Sequence, residues 1–298
     1  MPDLPPALRG NPLVLEPAGV GRIHGYRSDA KEGRPLLLVH SVNAVASAFE
    51  VRPVYDHYAS QRPTYALDLP GFGLSDRSDR DYTARLMTDA VLAMVKEIRS
   101  RHGEDQPIDV LGLSLSCEFV ARAAAEAPGA VRTLALVSPT GMNGTTRRDG
   151  PEGSTREVPG LHSVLAFPLW GSGLFKGLTR PSVIRYFLEK TWGGKNIDEE
   201  LWAYDVLLAK HPGAHHAPLC FLSGQLFSND VSRLYERLEM PVWMSHGVRG
   251  DFVDYRGADR MRSRANWRIT SFETGAIPYF EVPGPFFEAY DAFLASAG

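Results

Sequence analysis

The chain has 298 residues, of which 44% are hydrophobic and 22% are charged. This length and composition allow one large α/β domain with an insertion, or two modest domains. The formal net charge is −3, and Lys and Arg are spread along the chain without a basic block. Nothing in these totals favours binding to nucleic acid or to an anionic membrane surface.

The sequence carries no sign of export or of membrane insertion. Its two cysteines, Cys117 and Cys220, cannot build a disulfide framework and are typical of a reducing compartment. Residues 1–19 lack a basic segment followed by an apolar core, and no run approaches the ~18 apolar residues of a membrane helix. We therefore expect a cytoplasmic protein without a secretory signal or a membrane span.

Short apolar runs alternate with helical patterns in the first half of the chain. Residues 35–40 (PLLLVH) and 63–69 (PTYALDL) are apolar and brief, which predicts buried strands. Residues 48–60 between them predict a helix. A second helix, with apolar residues at helical spacing from Leu86 to Ile98, is predicted to end near Gly103.

The same alternation continues to the end of the chain. Buried strands are predicted at 108–114, 131–139, 241–246 and 267–272, an Ala-rich helix at 117–127 and a closing helix at 285–295. Residues 142–160 are rich in Gly, Thr, Arg and charge, which predicts an exposed linker. Residues 161 to about 238 look helical and irregular.

Strand–helix alternation predicts a mostly parallel, doubly wound sheet with helices on both faces. We expect residues 1–140 and 239–298 to form this α/β core, and residues 141–238 to form a linker and a helical cap. Such an insertion lies over the carboxyl ends of the strands, where sheets of this type bind ligands.

The stretch GLSLS, Gly112 to Ser116, lies between a predicted strand and the Ala-rich helix. This context predicts a nucleophile elbow, in which a sharp turn presents Ser114 at the start of a helix. Backbone N–H groups and the helix dipole favour a developing anion there. Ser116 replaces the usual second glycine, but it is small enough for the turn to close.

Several motifs in the right order resemble the α/β-hydrolase superfamily, in the subgroup with a helical cap. LLLVHSVNA resembles the strand and loop that supply part of the oxyanion hole, and ALDLPGFGLSD resembles the loop after the next strand. HGVRGDFVD resembles the strand end that carries the catalytic acid, so the resemblance implies that Asp251 is this acid and that Ser114 is the nucleophile. The order serine, acid, histidine position also fits.

The histidine position departs from the family. The loop that usually reads Gly-x-x-His-x-Pro-x-x-Glu reads TGAIPYFE here, which puts Ala276 at the histidine site. No histidine follows His246, so no shift of alignment can supply one. A serine hydroxyl is a poor nucleophile without a base, and loss of a triad histidine costs on the order of 10⁶ in kcat. An ordinary Ser-His-Asp mechanism is therefore not supported.

The loop before the elbow also departs, because His40-Ser41 stands where the family often has His-Gly. The resemblance implies that the N–H groups of Val42 and Leu115 are the oxyanion donors. Ser41 and Asn43 add a hydroxyl and an amide, which favour a pocket for a polar or anionic group, unless Ser41 only packs where Gly did.

Other residues could replace the missing base. His40 and His246 end strands and are usually structural in the family, whereas His215 and His216 of the predicted cap could reach down to Ser114 or form a surface turn. Adjacent histidines point to different sides, so we expect no metal site, and we expect no cofactor. Tyr279 flanks the vacant position and could donate a hydrogen bond into the pocket.

These observations leave three functional hypotheses. The first is a serine-hydrolase-like enzyme acting on an ester, thioester or other carbonyl compound, with a non-standard triad. The second is a lyase or proton-transfer enzyme in which Ser114 orients the substrate, and the third is a non-catalytic binding protein. We favour an enzyme because the elbow serine and the acid are both retained. The apolar cap sequence predicts a medium-sized, partly hydrophobic small molecule as the substrate or ligand. The sequence does not indicate an oligomeric state.

Overall fold

The computed structural model describes residues 4–144, 146–250, 252 and 254–297. Within these residues, eight strands form one sheet. Their bounds are β1 (Asn11–Leu15), β2 (Ile23–Arg27), β3 (Leu36–Val39), β4 (Thr64–Asp68), β5 (Ile108–Leu113), β6 (Val131–Val137), β7 (Val242–Gly247) and β8 (Trp267–Phe272). The strand order is β1-β2-β4-β3-β5-β6-β7-β8.

The six strands β3 to β8 are parallel to one another. All residues of β3, β4 and β5 are buried, because helices cover both faces of the sheet. Each of these six strands lies within a residue or two of its predicted range, so the predicted α/β architecture with a mostly parallel sheet is confirmed. The parallel register brings the carboxyl ends of β3, β5, β6 and β7 to one edge.

The hairpin of β1 and β2 was not predicted from the sequence. β1 pairs antiparallel with β2, and β2 pairs antiparallel with β4 at the margin of the sheet. β1 has only one buried residue, Leu13, so its apolar signal is weak. Gly25 interrupts β2, and a Cβ there would lie 2.9 Å from the carbonyl oxygen of Ala66. Close backbone packing therefore requires glycine and conceals the strand pattern.

Helices cover the two faces of the sheet with separate apolar clusters. α2 (Ala84–His102) and α3 (Ser116–Glu126) pack on one face. α1 (Arg52–Tyr58), preceded by a 3-10 helix (Ala48–Val51), and α12 (Pro283–Ser296) pack on the other. The predicted helix at 48–60 is therefore two short helices, and Pro53 lies in the first turn of α1, where a missing N–H is tolerated.

The insertion between β6 and β7 is helical, as its sequence indicates. It contains α4 (Leu161–Leu165), α5 (Gly171–Leu178), α6 (Pro181–Trp192), α7 (Glu199–Leu208), α8 (His216–Leu222) and α9 (Val231–Glu236). α7 packs on the 3-10 helix of the core, where the rings of Tyr204 and Phe49 stack at 4.9 Å. α9 packs against α3 and shares the core cluster of that face. Three short helices complete the fold: a second 3-10 helix (Arg256–Ala258), α10 (Asp259–Arg262) and α11 (Pro278–Glu281).

A buried ionic cluster holds the amino ends of the central strands. The fully buried Asp109 of β5 accepts hydrogen bonds from Arg62, from Arg132 at 2.8 and 3.1 Å, and from Thr133 at 2.7 Å. Two guanidinium groups and a hydroxyl thus compensate one carboxylate, as burial of a charge requires. This cluster lies at the opposite end of the strands from the elbow.

Candidate active site

Ser114 occupies a strained turn between β5 and α3. Its φ is +56°, in the left-handed region that residues other than glycine rarely adopt. Such a conformation costs on the order of 1–3 kcal/mol and persists only where the surrounding fold imposes it. Gly112 makes the turn possible, because a Cβ there would lie 2.7 Å from Val120. The backbone thus has the geometry of a nucleophile elbow.

The substitution of serine for the second elbow glycine has a structural role. Ser116 is fully buried and its hydroxyl donates a hydrogen bond to the carbonyl oxygen of His40. This bond joins the first turn of α3 to the start of the loop after β3. Ser116 therefore fixes the elbow against that loop, which a glycine could not do.

The backbone N–H groups of Val42 and Leu115 have no hydrogen-bond partner among the described residues. Neither N–H donates a hydrogen bond to any residue in the described part of the chain, although both residues are buried. Buried N–H groups are nearly always satisfied, so two unpaired donors on the two loops beside Ser114 need a partner. An oxyanion or a substrate carbonyl oxygen is such a partner.

The polar side chains of the loop after β3 bond to a carboxylate of the protein. The backbone N–H of Ser41 donates to Glu50 at 2.8 Å, its hydroxyl at 3.0 Å, and the amide of Asn43 at 2.6 Å. Asn43 also accepts from the N–H of Val45 at 2.7 Å. Of the two alternatives that the sequence left open, these bonds favour a role of Ser41 within the loop, since both Ser41 and Asn43 bond to a carboxylate of the protein.

Glu50 is the buried centre of this loop, and sequence reasoning missed it. It lies in the 3-10 helix, and its side chain is enclosed by the loop after β3. Burial raises the pKa of the Glu50 carboxyl to about 7, against the opposing effect of hydrogen bonds from Ser41 and Asn43. The loop that carries Val42 is thus folded around a carboxyl that titrates near neutral pH.

A second buried carboxyl faces this region from the insertion. Asp205 of α7 is 3% exposed, and its side chain forms no hydrogen bond with a described residue. Burial, with a contribution from the charge of Glu50, raises the pKa of the Asp205 carboxyl well above its usual range. The sequence held a signal for it, because Asp205 shares a helical stripe with Leu201, Tyr204 and Leu208, which are all buried.

Ala276 occupies the position expected for a triad histidine, in a closely packed loop. Its N–H donates to the carbonyl oxygen of Thr191 at 2.8 Å, and its own carbonyl accepts from the hydroxyl of Ser138 at 2.5 Å. Ser138, at the end of β6, is the second described non-glycine residue with positive φ, at +49°. The end of α6 covers this loop, since a Cβ on Gly275 would lie 2.5 Å from the Cα of Trp192.

The predicted site contains two further residues, Asp251 and Tyr279. Asp251, predicted as the catalytic acid, lies outside the described residues. Tyr279 does not reach into a pocket as expected: it is buried, and its hydroxyl donates to the carbonyl oxygen of Glu50 at 2.9 Å. Tyr279 therefore links the loop of Ala276 to the loop of Val42.

Both ring nitrogens of His40 are bonded to the backbone. Nε2 accepts from the N–H of Leu69 at 3.0 Å, so Nδ1 carries the proton and donates to the carbonyl oxygen of Ser41 at 2.6 Å. Burial lowers the pKa of His40, which keeps the ring neutral. His40 is thus unable to accept a proton from Ser114, and its suggested use as the base is wrong.

His215 and His216 contact other groups than Ser114. Nδ1 of His216 lies 3.3 Å from a carboxylate oxygen of Asp79, and the two imidazole rings lie 3.9 Å apart. His215 also packs near Phe175 of the insertion. In the described part of the chain, no hydrogen bond or ion pair joins either histidine to the elbow.

His216 instead lines a cleft of about 630 Å³. The cleft lies between residues 74–77 and residues 211–216, and its walls include Arg22, His24, Arg77 and His211. The residues that line it include none from the elbow, from the loop of Val42 or from residues 274–283.

The cysteines are structural: burial raises the pKa of Cys117 well above its usual value, and its thiol donates to the carbonyl oxygen of Gly112.

Comparison with known proteins agrees with this geometry. Residues 34–179 match a family model described as the alpha/beta hydrolase fold. No curated protein sequence gives a significant match. Among the described residues, no helix is long and apolar enough to cross a membrane.

Solved structures of the same architecture are numerous. A probable hydrolytic enzyme from Pseudomonas aeruginosa PAO1 aligns with a TM-score of 0.74 and 18% identity over 98% of this chain and 96% of its own. The Cif epoxide hydrolase from Acinetobacter nosocomialis aligns with a TM-score of 0.72 and 20% identity, over 96% of this chain and 90% of its own. A meta-cleavage product hydrolase from Pseudomonas fluorescens IP01 aligns with a TM-score of 0.70 and 16% identity, over 96% of this chain and 98% of its own. With its elbow, its parallel sheet and its insertion after β6, this protein has the α/β-hydrolase fold.

Proposed function

We propose that this protein is a hydrolase-type enzyme that acts on an ester, thioester or other carbonyl group of a partly hydrophobic small molecule. The observation that carries the proposal is the pairing of the strained Ser114 with the unpartnered N–H groups of Val42 and Leu115. Backbone strain at a serine and unpaired N–H groups beside it both cost stability. A carbonyl substrate gives both a role, because the serine contacts its carbon and the N–H groups bind its oxygen.

In this mechanism the Ser114 oxygen adds to the substrate carbonyl carbon while its hydroxyl proton passes to water, and the two N–H groups stabilise the negative charge on the carbonyl oxygen. Collapse of this adduct expels the protonated leaving group, and addition of a second water releases the acid and restores the Ser114 hydroxyl. The structural neighbours include proteins described as hydrolases, which supports the reaction class. The proposed role of Asp251 as the catalytic acid rests only on its position in the sequence motif. His40, His215 and His216 contact other groups than Ser114 among the described residues, so the proposal includes activation of Ser114 without a partner histidine.

A second candidate function is a non-catalytic binding protein. It is favoured by Ala276, whose loop is packed under α6, and by the neutral, fully bonded ring of His40. In this alternative the unpaired N–H groups of Val42 and Leu115 bind a ligand oxygen, and Ser114 adds a hydroxyl to the same site. A lyase on the same scaffold would use these groups in the same way.

Covalent labelling with a fluorophosphonate, read by intact mass, separates the candidates. The wild type, Ser114→Ala and the control Ser223→Ala, which removes a buried hydroxyl that donates within α8, are compared. We expect one adduct on the wild type and on Ser223→Ala, and none on Ser114→Ala. Absence of labelling in all three would contradict the nucleophile and favour binding. Ala276→His would then test whether a restored base activates Ser114.

A further inference from the structure

The turn between α4 and α5 exposes large apolar side chains to solvent. Val164 is 57% exposed, Phe167 42%, Leu169 85% and Trp170 49%. These four residues, named here the α4–α5 surface, fall within seven positions of the chain. Scattered exposed apolar residues need no explanation, but a cluster of large ones marks a site of interaction.

The four side chains belong to one continuous patch. The rings of Phe167 and Trp170 lie 4.5 Å apart, and the indole N–H of Trp170 donates to the carbonyl oxygen of Val164 at 2.8 Å. The indole is therefore satisfied by the protein, and its apolar faces are what the surface presents. Leu169 lies at the tip of the turn between the helices.

The segment that carries this surface has charges of one sign only. Residues 158–188 contain no Asp or Glu, although the whole chain has a net charge of −3. Lys176 on α5 and Arg180 just after it are exposed, and neither forms an ion pair or a side-chain hydrogen bond with a described residue. The third base, Arg185, is bonded to Glu199. The negative net charge of the whole chain therefore does not reveal the excess of positive charge in this segment.

We propose that the α4–α5 surface docks the protein on an anionic lipid bilayer. Trp, Phe and Leu beside unpaired Lys and Arg on a short amphipathic helix pair are suited to the interface, where apolar side chains enter the acyl boundary and bases meet lipid phosphates. A neutral protein partner would leave Lys176 and Arg180 without counterions, whereas the surface of an anionic bilayer supplies both phosphates for these bases and an apolar layer for Leu169. The occupant is a membrane surface, and this inference is independent of the reaction at Ser114.

Vesicle sedimentation tests the proposal with the full chain. Vesicles of phosphatidylcholine alone and of phosphatidylcholine with phosphatidylglycerol are mixed with four proteins. These are the wild type, the double variant Leu169→Asp/Trp170→Asp, the double variant Lys176→Gln/Arg180→Gln and the control Val14→Asp. Val14 is 45% exposed on β1, so the control places the same charge on an exposed apolar site elsewhere.

We expect the wild type and the control to bind vesicles that contain phosphatidylglycerol. The Asp variant should lose more than about tenfold in partitioning on both vesicle types, because apolar burial is lost. The Gln variant should lose roughly fivefold for each base on anionic vesicles only. Circular dichroism and the thermal midpoint check that each variant is folded.

Three results would overturn the proposal. The first is absence of wild-type binding to either vesicle, and the second is binding that the Asp variant retains. The third is a wild type that forms a dimer in light scattering and does not bind vesicles, together with an Asp variant that is monomeric. A second copy of the chain would then cover the surface. Retained folding of the variants keeps each of these results interpretable.

Discussion

The carboxylate of Glu50 accepts hydrogen bonds from both the backbone N–H and the hydroxyl of Ser41, at 2.8 and 3.0 Å. Ser41 directly precedes Val42, whose N–H is a proposed oxyanion donor. Glu50 thereby fixes Ser41 on one side, while Nδ1 of His40 donates to the Ser41 carbonyl of the peptide that carries this donor. The protonation state of Glu50 is coupled to the geometry of the site, since burial raises its pKa to about 7.

Replacement of Glu50 by Gln should change how stability depends on pH. The folded protein binds this proton up to about pH 7, whereas an unfolded Glu releases it near its model value of 4.5. Stability from this group is therefore present at low pH and is lost as pH rises from about 4.5 to 7. The loss amounts to at most about 3 kcal/mol.

Urea unfolding at pH 5 and pH 8 measures this effect. Glu50→Gln should reduce the difference between the two pH values, leaving the part that comes from Asp205, while the exposed Glu288→Gln should keep the full difference. An unchanged difference in Glu50→Gln would show that Glu50 does not titrate in this window.

Asp205→Asn and Asp205→Leu should stabilise the protein at pH 8. The carboxyl is buried without a hydrogen bond, so its ionised form is strongly disfavoured, and Leu continues the apolar stripe of α7. We expect a gain of about 1–3 kcal/mol at pH 8 and a smaller one at pH 5.

Asp198→Asn on the same helix is the matched control. Asp198 caps α7 by accepting from the N–H of Leu201 at 2.7 Å, and Asn retains most of that capping. Its thermal midpoint should therefore differ little from that of the wild type. Destabilisation of Asp205→Leu at both pH values would indicate that the carboxyl has a polar partner.

The variant Ser114→Gly should be more stable than the variant Ser114→Ala. A φ of +56° suits glycine, whereas alanine keeps the left-handed strain of serine. We expect Ser114→Gly to exceed Ser114→Ala by about 1 kcal/mol in chemical unfolding. In the middle of α3, for instance at Ala121, the order of Gly and Ala should reverse. Equal stabilities at position 114 would mean that the elbow relaxes when the hydroxyl is lost.

Asp109→Asn should be strongly destabilising. It leaves Arg62 and Arg132 without their carboxylate partner in a buried site, which costs about 3–5 kcal/mol. Asp291→Asn is a suitable control: the Asp291 side chain is 54% exposed and accepts from Tyr58, so we expect a change within about 1 kcal/mol. Equal effects of the two substitutions in urea unfolding would contradict the structural role of the cluster.

The sequence predicted the parallel core because each of its strands is covered on both faces and is therefore a short apolar run. It could not predict β1, whose single buried residue, Leu13, gives no run. Within the site, the elbow was predictable because Gly112 and Ser114 are fixed by local backbone geometry. The partners of Ser41 and Asn43 were not, since Glu50 becomes their neighbour only when the 3-10 helix folds back onto the loop.

The close packing of α6 has a consequence for ligand entry. A Cβ on Gly193, just after α6, would lie 2.5 Å from the backbone nitrogen of Gly250, and one on Gly275 would lie 2.4 Å from the carbonyl oxygen of Thr191. The end of one insertion helix therefore rests on the loops after β7 and β8 at the same time. By thermodynamic linkage, any ligand that displaces the end of α6 must also disturb both loops, and any ligand that orders these loops must hold the end of α6 in place.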